Sequence, residues 1–422
     1  MTLKTNWADM VNPTVRDIPP SGIRRFFDLV TEVKGVISLG VGEPDFVTPW
    51  HIREACLYSL EKGYTMYTSN HGMLELREEI ARDIHNTYKV NYNPRNEILI
   101  TTGVSEGLDL AMRTLLCRGD EVLIPEPSYV SYAPCATLAG GKPVYLKTSV
   151  ENGFQLTADL VEKAITPRTK VLLLSYPNNP TGATIDRKHL LEIAEIAVAR
   201  NLIVVSDEIY DKLTYVGEHT CVSSLPGMRE RTILLNGFSK AYAMTGWRAG
   251  YAAGNSDFIS AMTKIHQYTM LCAPITAQIA ALEALRNGRS EMRKMIAQFN
   301  RRRRLVMDAL REIGLPCFEP RGAFYAFPEI SSAGLTSDEF AKQLLKEEKV
   351  LVVPGNAFGE QGEGFVRCAY AASEADLNEA FRRIGSFIKR RLGRRKVLTF
   401  TIGKPEQIPE QTREGLVVGS SQ

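Results

Sequence analysis

From residue 97 onward, short apolar runs with no polar alternation recur at close intervals: Ile98–Thr101, Val122–Ile124, Val144–Leu146, Val171–Leu174, Leu202–Val205, Ile233–Leu235 and Gly250–Ala253. Helical patterns lie between most of them, as in Leu190–Arg200. A strand without a polar face is covered on both sides, and strands separated by helices are joined by crossovers. The pattern therefore predicts an α/β chain whose seven-stranded, mainly parallel sheet lies between helices. Ahead of it the sequence predicts an amphipathic helix over Ser21–Val33, a strand and glycine-rich turn over Ile37–Asp45, and helices from Pro49 and over Leu74–Tyr88. The loop Gly63–Gly72 between these last two carries Tyr64 and Tyr67. Past residue 295 a charged helix leads to shorter apolar runs at Ala323–Phe327, Val350–Val353 and Phe365–Tyr370, with helices over Ser337–Glu348 and Glu374–Ile388. These predict a smaller α+β domain.

Composition narrows the class without naming it. The 422 residues are 44% hydrophobic and 23% charged, ordinary for a soluble globular protein of two or three domains. A net charge of +3 gives no electrostatic footprint for nucleic acid, and the run Arg301–Arg304 reads as a solvated helix face. No apolar run approaches a membrane span, and the first twenty residues lack a signal peptide's apolar core. The seven cysteines are scattered with no Cys-x-x-Cys pair, which fits reduced thiols in a cytoplasmic protein. The six histidines show no His-x-x-x-His spacing, so no metal site is expected.

The chemically distinctive residues fall just after the predicted strands, where an open α/β sheet places its ligand. Ile233–Leu235 runs into Asn236-Gly-Phe-Ser-Lys240, and Arg248 follows eight residues after the lysine. A lysine beside glycine and serine is more often a solvated loop residue. Next to a buried strand, however, apolar surroundings favour its neutral amine, which can attack a carbonyl. A fixed guanidinium suits a phosphate. Together Lys240 and Arg248 suggest a pyridoxal phosphate enzyme.

The other strand ends agree. Thr102-Gly-Val-Ser-Glu-Gly107 feeds a helix expected to begin near Leu108; its amides suit a phosphate, although Ser105 in the role of a helix cap reads equally well. Tyr129 follows Val122–Ile124, and the turn Ser175–Gly182 follows Val171–Leu174. Asp207 directly continues Leu202–Val205; a half-buried carboxylate there needs a cation, and a pyridinium nitrogen would serve. Tyr210 lies three residues on.

The ordered set Pro177-Asn-Asn-Pro-Thr-Gly182, Ser206-Asp-Glu-Ile-Tyr210, Ser239-Lys240 and Gly246-Trp-Arg248 resembles the class I/II aminotransferases, pyridoxal phosphate enzymes of fold type I. Gly42-Glu-Pro-Asp-Phe46, Gly322-Ala-Phe-Tyr325 and Phe365-Val-Arg-Cys368 extend the resemblance over nearly the whole chain. It implies an N-terminal arm and part of the small domain in 1–45, a large cofactor-binding domain in 46–295, a small domain in 296–392, and an exposed tail in 393–422.

The resemblance also implies roles. Lys240 bonds the cofactor aldehyde and shuttles a proton. Asp207 holds the ring nitrogen, Asn179 and Tyr210 donate to the ring hydroxyl oxygen, and Tyr129 stacks on the ring. Ser239, Arg248 and the backbone at Val104 and Ser105 hold the phosphate, while Tyr67 reaches the phosphate of a neighbouring subunit in a homodimer. Arg367 clamps the substrate α-carboxylate, with Gly42, Asn179 and Tyr129 beside it. Gly237 departs from relatives that carry a phosphate-binding serine there. The implied reaction moves an amino group from an L-amino acid, aspartate, aromatic or similar, to a 2-oxo acid. A β- or γ-lyase would use the same residues, and a non-catalytic cofactor-binding regulator is the rival of another class.

Overall fold

A computed structural model describes residues 7–23 and 35–392. Most of the helix expected over Ser21–Val33, and the whole tail 393–422, lie outside the described residues. Strand β1 (Ile37–Ser38) precedes the main sheet, formed by β2 (Ile98–Thr101), β3 (Glu121–Glu126), β4 (Lys142–Lys147), β5 (Thr169–Ser175), β6 (Ile203–Asp207), β7 (Thr232–Gly237) and β8 (Gly250–Ala253). Its order is β2-β8-β7-β6-β5-β3-β4. Every strand is parallel except β8, which runs antiparallel to both neighbours. No helix separates β7 from β8, so the chain doubles back without the crossover a parallel partner requires.

The uniformly apolar runs have the burial they imply. Val171, Leu172, Leu173, Val204, Val205, Ile233 and Leu235 are inaccessible to solvent, and each such side chain contributes ~1.5–3 kcal/mol relative to exposure. This two-faced burial fixes the strand ends that carry the site.

The smaller region holds β9 (Tyr325–Ala326), β10 (Val350–Leu351), β11 (Val353–Pro354) and β12 (Val366–Ala369). The run Val350–Val353 is split: β10 pairs in parallel with β1, while β11, β12 and β9 form a separate antiparallel sheet. Residues before the large sheet thus join the C-terminal third. The change of character expected at 295/296 lies inside one continuous helix, Arg289–Ile313.

That helix corrects one expectation. Arg301 and Arg304 are exposed, but Arg302 and Arg303 are buried. Arg302 pairs with both carboxylate oxygens of Asp45 at 2.7 and 2.9 Å, and Arg303 with Glu319 at 2.7 Å. Such pairing is what a buried guanidinium requires. The segment Gly355–Gly364 holds two tight 3₁₀ turns, Gly355–Phe358 and Glu360–Gly362, and buried Phe358 lies 4.8 Å from the Arg367 guanidinium. Among the described residues, no helix is long and apolar enough to cross a membrane.

Candidate active site

The carboxyl ends of β2, β5, β6 and β7 open onto one cavity of about 300 Å³. Eleven of the twelve residues singled out in the sequence line it: Gly42, Val104, Ser105, Tyr129, Asn179, Asp207, Tyr210, Ser239, Lys240, Arg248 and Arg367. Tyr67 does not; it is 81% exposed on the loop between the first two long helices.

Lys240 follows β7 and is half-buried, with Nζ donating to the Gly42 carbonyl at 2.5 Å and lying 5.8 Å from the Phe324 ring. Burial, and next the Arg367 guanidinium, lower its ammonium to about 8, against the opposing pull of Glu43. A fraction of the free amine is therefore present near neutrality.

Asp207 ends β6 and is buried. Its carboxylate meets the Tyr132 hydroxyl at 2.9 Å and the Ile209 amide at 3.2 Å, and among the described residues no cation lies in hydrogen-bonding reach. Burial raises its carboxyl to about 6, more than these two donors and Lys240 offset. The Tyr210 and Tyr325 hydroxyls lie 2.7 Å apart, joining the end of β6 to β9.

Arg367, on β12, is 2% exposed. Its guanidinium donates to Asn179 Oδ1 at 2.8 Å and the Gly40 carbonyl at 2.6 Å, and lies 4.5 Å from the Tyr325 ring. Nε is buried without a partner. A Cβ at Gly42 would stand 2.6 Å from the Tyr325 hydroxyl, so glycine lets this backbone lie against that side chain.

The remaining corner is a cationic cup. The helix after β2 begins at Val104, four residues ahead of the expected start, because Gly103 turns into it with φ 77°. Ser105 is therefore in the first turn and is not the cap, and the amides of Val104 and Ser105 have no intrahelical acceptor. Arg248 lies across this turn in the left-handed region (φ 58°), donating to the carbonyls of Thr245 at 2.9 Å and Thr102 at 3.4 Å. A Cβ at Gly103 would meet its Nη2 at 2.6 Å.

Sequence reasoning missed Tyr132 and gave Tyr325 no role. Tyr132 opens a short helix just past Tyr129, and the two rings meet edge to face at 5.6 Å on the same cavity wall. Ile23 and Thr245 also line the cavity, and no signal in the sequence marked them.

A family model described as aminotransferase class I and II matches residues 34–384. The chain is 53% identical over 374 residues to a putative aminotransferase, YugH, of Bacillus subtilis, covering 89% of this chain and 97% of that one. It is 46% identical to aromatic-amino-acid aminotransferase 2 of Thermococcus litoralis, covering 88% and 96%. The aspartate aminotransferase of Thermus thermophilus solved with maleate superposes with a TM-score of 0.86 at 36% identity, covering 89% and 99%. The chain belongs to the class I and II aminotransferases. It is a pyridoxal 5′-phosphate-dependent transaminase moving an amino group from an L-amino acid to a 2-oxo acid, and nothing in the comparisons supports a lyase or a regulator. The cavity of this aminotransferase suits that cofactor. Its lining includes a buried carboxylate with no cation in hydrogen-bonding reach among the described residues, and a guanidinium beside helix amides that have no intrahelical acceptor.

Proposed function

We propose that this aminotransferase prefers aromatic L-amino acids as donors and acts as a cytoplasmic homodimer, with Lys240, Asp207 and Arg367 as its central residues. When bound, the cofactor supplies the aldehyde that receives the amino group and a protonated ring that accepts the electron pair left at Cα. Lys240 Nζ, as a neutral amine, would take the substrate's Cα proton and return it to the cofactor's former aldehyde carbon, which lies across the nitrogen from Cα. Asp207 keeps the ring nitrogen charged, with Tyr132 and the Ile209 amide holding the carboxylate in place. Asn179 and Tyr210 hold the ring oxygen, and Tyr129 covers the ring. Arg248, Ser239 and the amides of Val104 and Ser105 hold the phosphate. Arg367 fixes the α-carboxylate, setting the Cα–H bond toward Lys240.

The donor preference rests on charge. Among the described residues, the cations lining the cavity are Lys240, Arg248 and Arg367, and each has a task already. Among the described residues a distal carboxylate would meet no uncommitted cation, which is costly, whereas an aromatic ring needs none and meets Ile23 and Tyr129. The homodimer is supported by a group of exposed apolar side chains. Tyr67 and Met66 lie on a loop tied by Asn70 to the Leu271 carbonyl (2.7 Å), near Tyr268, which is 86% exposed. In this reading Tyr67 serves the partner's phosphate.

Single-turnover conversion with tyrosine, phenylalanine and aspartate tests the preference. The aromatic donors are expected to exceed aspartate by about tenfold or more in kcat/KM, about 1.4 kcal/mol of discrimination. Equal or faster conversion with aspartate would overturn it.

A further inference from the structure

The phosphate cup has a second layer that the reaction does not use directly. Glu106 lies in the first turn of the helix beginning at Val104, where a carboxylate would compete with a phosphate dianion if it faced the cavity. It faces away and bridges two elements. One oxygen accepts the Thr102 amide at 2.5 Å, and the other lies 2.6 Å from Nδ1 of His266. His266 is on the helix Ser256–Thr269 and is wholly buried, with Nε2 unpartnered. The Thr102 carbonyl, on the other side of the same residue, accepts Arg248 Nη2 at 3.4 Å. Burial pushes the Glu106 carboxyl up, but hydrogen bonds from His266 and Thr102 outweigh it and hold the carboxyl below its ordinary range.

We infer that Glu106 and His266 are positioning residues for the cofactor phosphate: the buried imidazole fixes the carboxylate, the carboxylate fixes the Thr102 amide, and the turn 102–105 is thereby held with its free amides and Arg248 facing the phosphate. This rests on the reading of Val104, Ser105 and Arg248 as the phosphate cup. Three contacts in series support it, each linking a different element: the Ser256–Thr269 helix, the first helical turn and the segment before β8. A carboxylate serving only as a general helix-terminus charge would need neither the buried imidazole nor the bond to Thr102.

The test compares the affinity of the apoprotein for pyridoxal 5′-phosphate with its affinity for pyridoxal, which lacks the phosphate. Glu106→Ala is expected to weaken the phosphate ester by roughly ten- to a hundredfold, the range over which supporting partners tune a bound group, and to leave pyridoxal unchanged. Glu106→Gln should recover most of the loss, because its amide oxygen still accepts from Thr102. If the alanine variant does not fold, Glu106→Asp carries the same expectation, being one methylene too short to span both partners. Parallel weakening of both ligands, or an undiminished preference for the ester, would overturn the inference. A wild-type apoprotein that binds pyridoxal as tightly as its phosphate ester would instead sink the reading of the cup itself.

Discussion

Replacing Lys240 by alanine is expected to lower transamination by roughly 10⁴-fold, the upper range for a positioned proton-transfer group. The loss falls on chemistry and spares the fold, because among the described residues the hydrogen bond Nζ gives up is the one to the Gly42 carbonyl at the cavity surface. The variant should retain the cofactor through the phosphate cup and Asp207, yet release it on dialysis, since no covalent link remains. In the wild type, the ammonium lowered to about 8 by burial and Arg367 makes a second statement. Only the neutral amine attacks an aldehyde, so the rate of cofactor capture by the apoprotein should rise with pH and level off above about 8. Stopped-flow absorbance measures both effects. A variant retaining more than about a hundredth of wild-type turnover would remove Lys240 from the proton transfer.

Asp207→Asn is expected to cost about 3–5 kcal/mol in the chemical step, roughly a hundred- to several-thousandfold in kcat, because one partner of a buried ion pair is lost. The donor KM should change little, as Arg367 and its contacts are untouched. A readout independent of activity accompanies this. The Asp207 carboxyl is raised by burial to about 6 in the folded apoprotein, above its ordinary value. The stability it contributes is therefore full below its unfolded value and lost as pH rises through about 6. Asparagine keeps the shape and never ionises, so the apo variant should melt higher than wild type above that pH and alike well below it. Thermal melts on either side of pH 6 decide this. A wild-type apoprotein as stable as the variant above that pH would mean that Asp207 carries no buried, uncompensated charge.

Much of this architecture was legible because strands such as Val171–Leu174 and Leu202–Val205 are apolar on both faces, and a two-faced strand has one place in an α/β sheet. The residues that follow them directly, Asp207 after β6 and Lys240 after β7, inherit their positions from those strands. What stayed hidden depended on contacts between distant segments. The Arg302–Asp45 and Arg303–Glu319 pairs turn a run of arginines into buried links, and nothing in the local sequence distinguishes them from a solvated face. Tyr132 reaches Asp207 across 75 positions, and His266 reaches Glu106 across 160. The split of Val350–Val353 between two sheets follows from β1 claiming β10, a pairing that periodicity does not encode. The helix start was misplaced because Gly103 lets a helix open straight after a strand, with no side-chain cap to mark it.

The most direct test is the absorption spectrum of the cofactor-loaded protein given one amino acid donor and no oxo acid. The expected result is conversion of the aldehyde form to the amine form, release of one oxo acid per site, a stop, and resumption when a 2-oxo acid is added. Continuous release of oxo acid together with ammonia would contradict it.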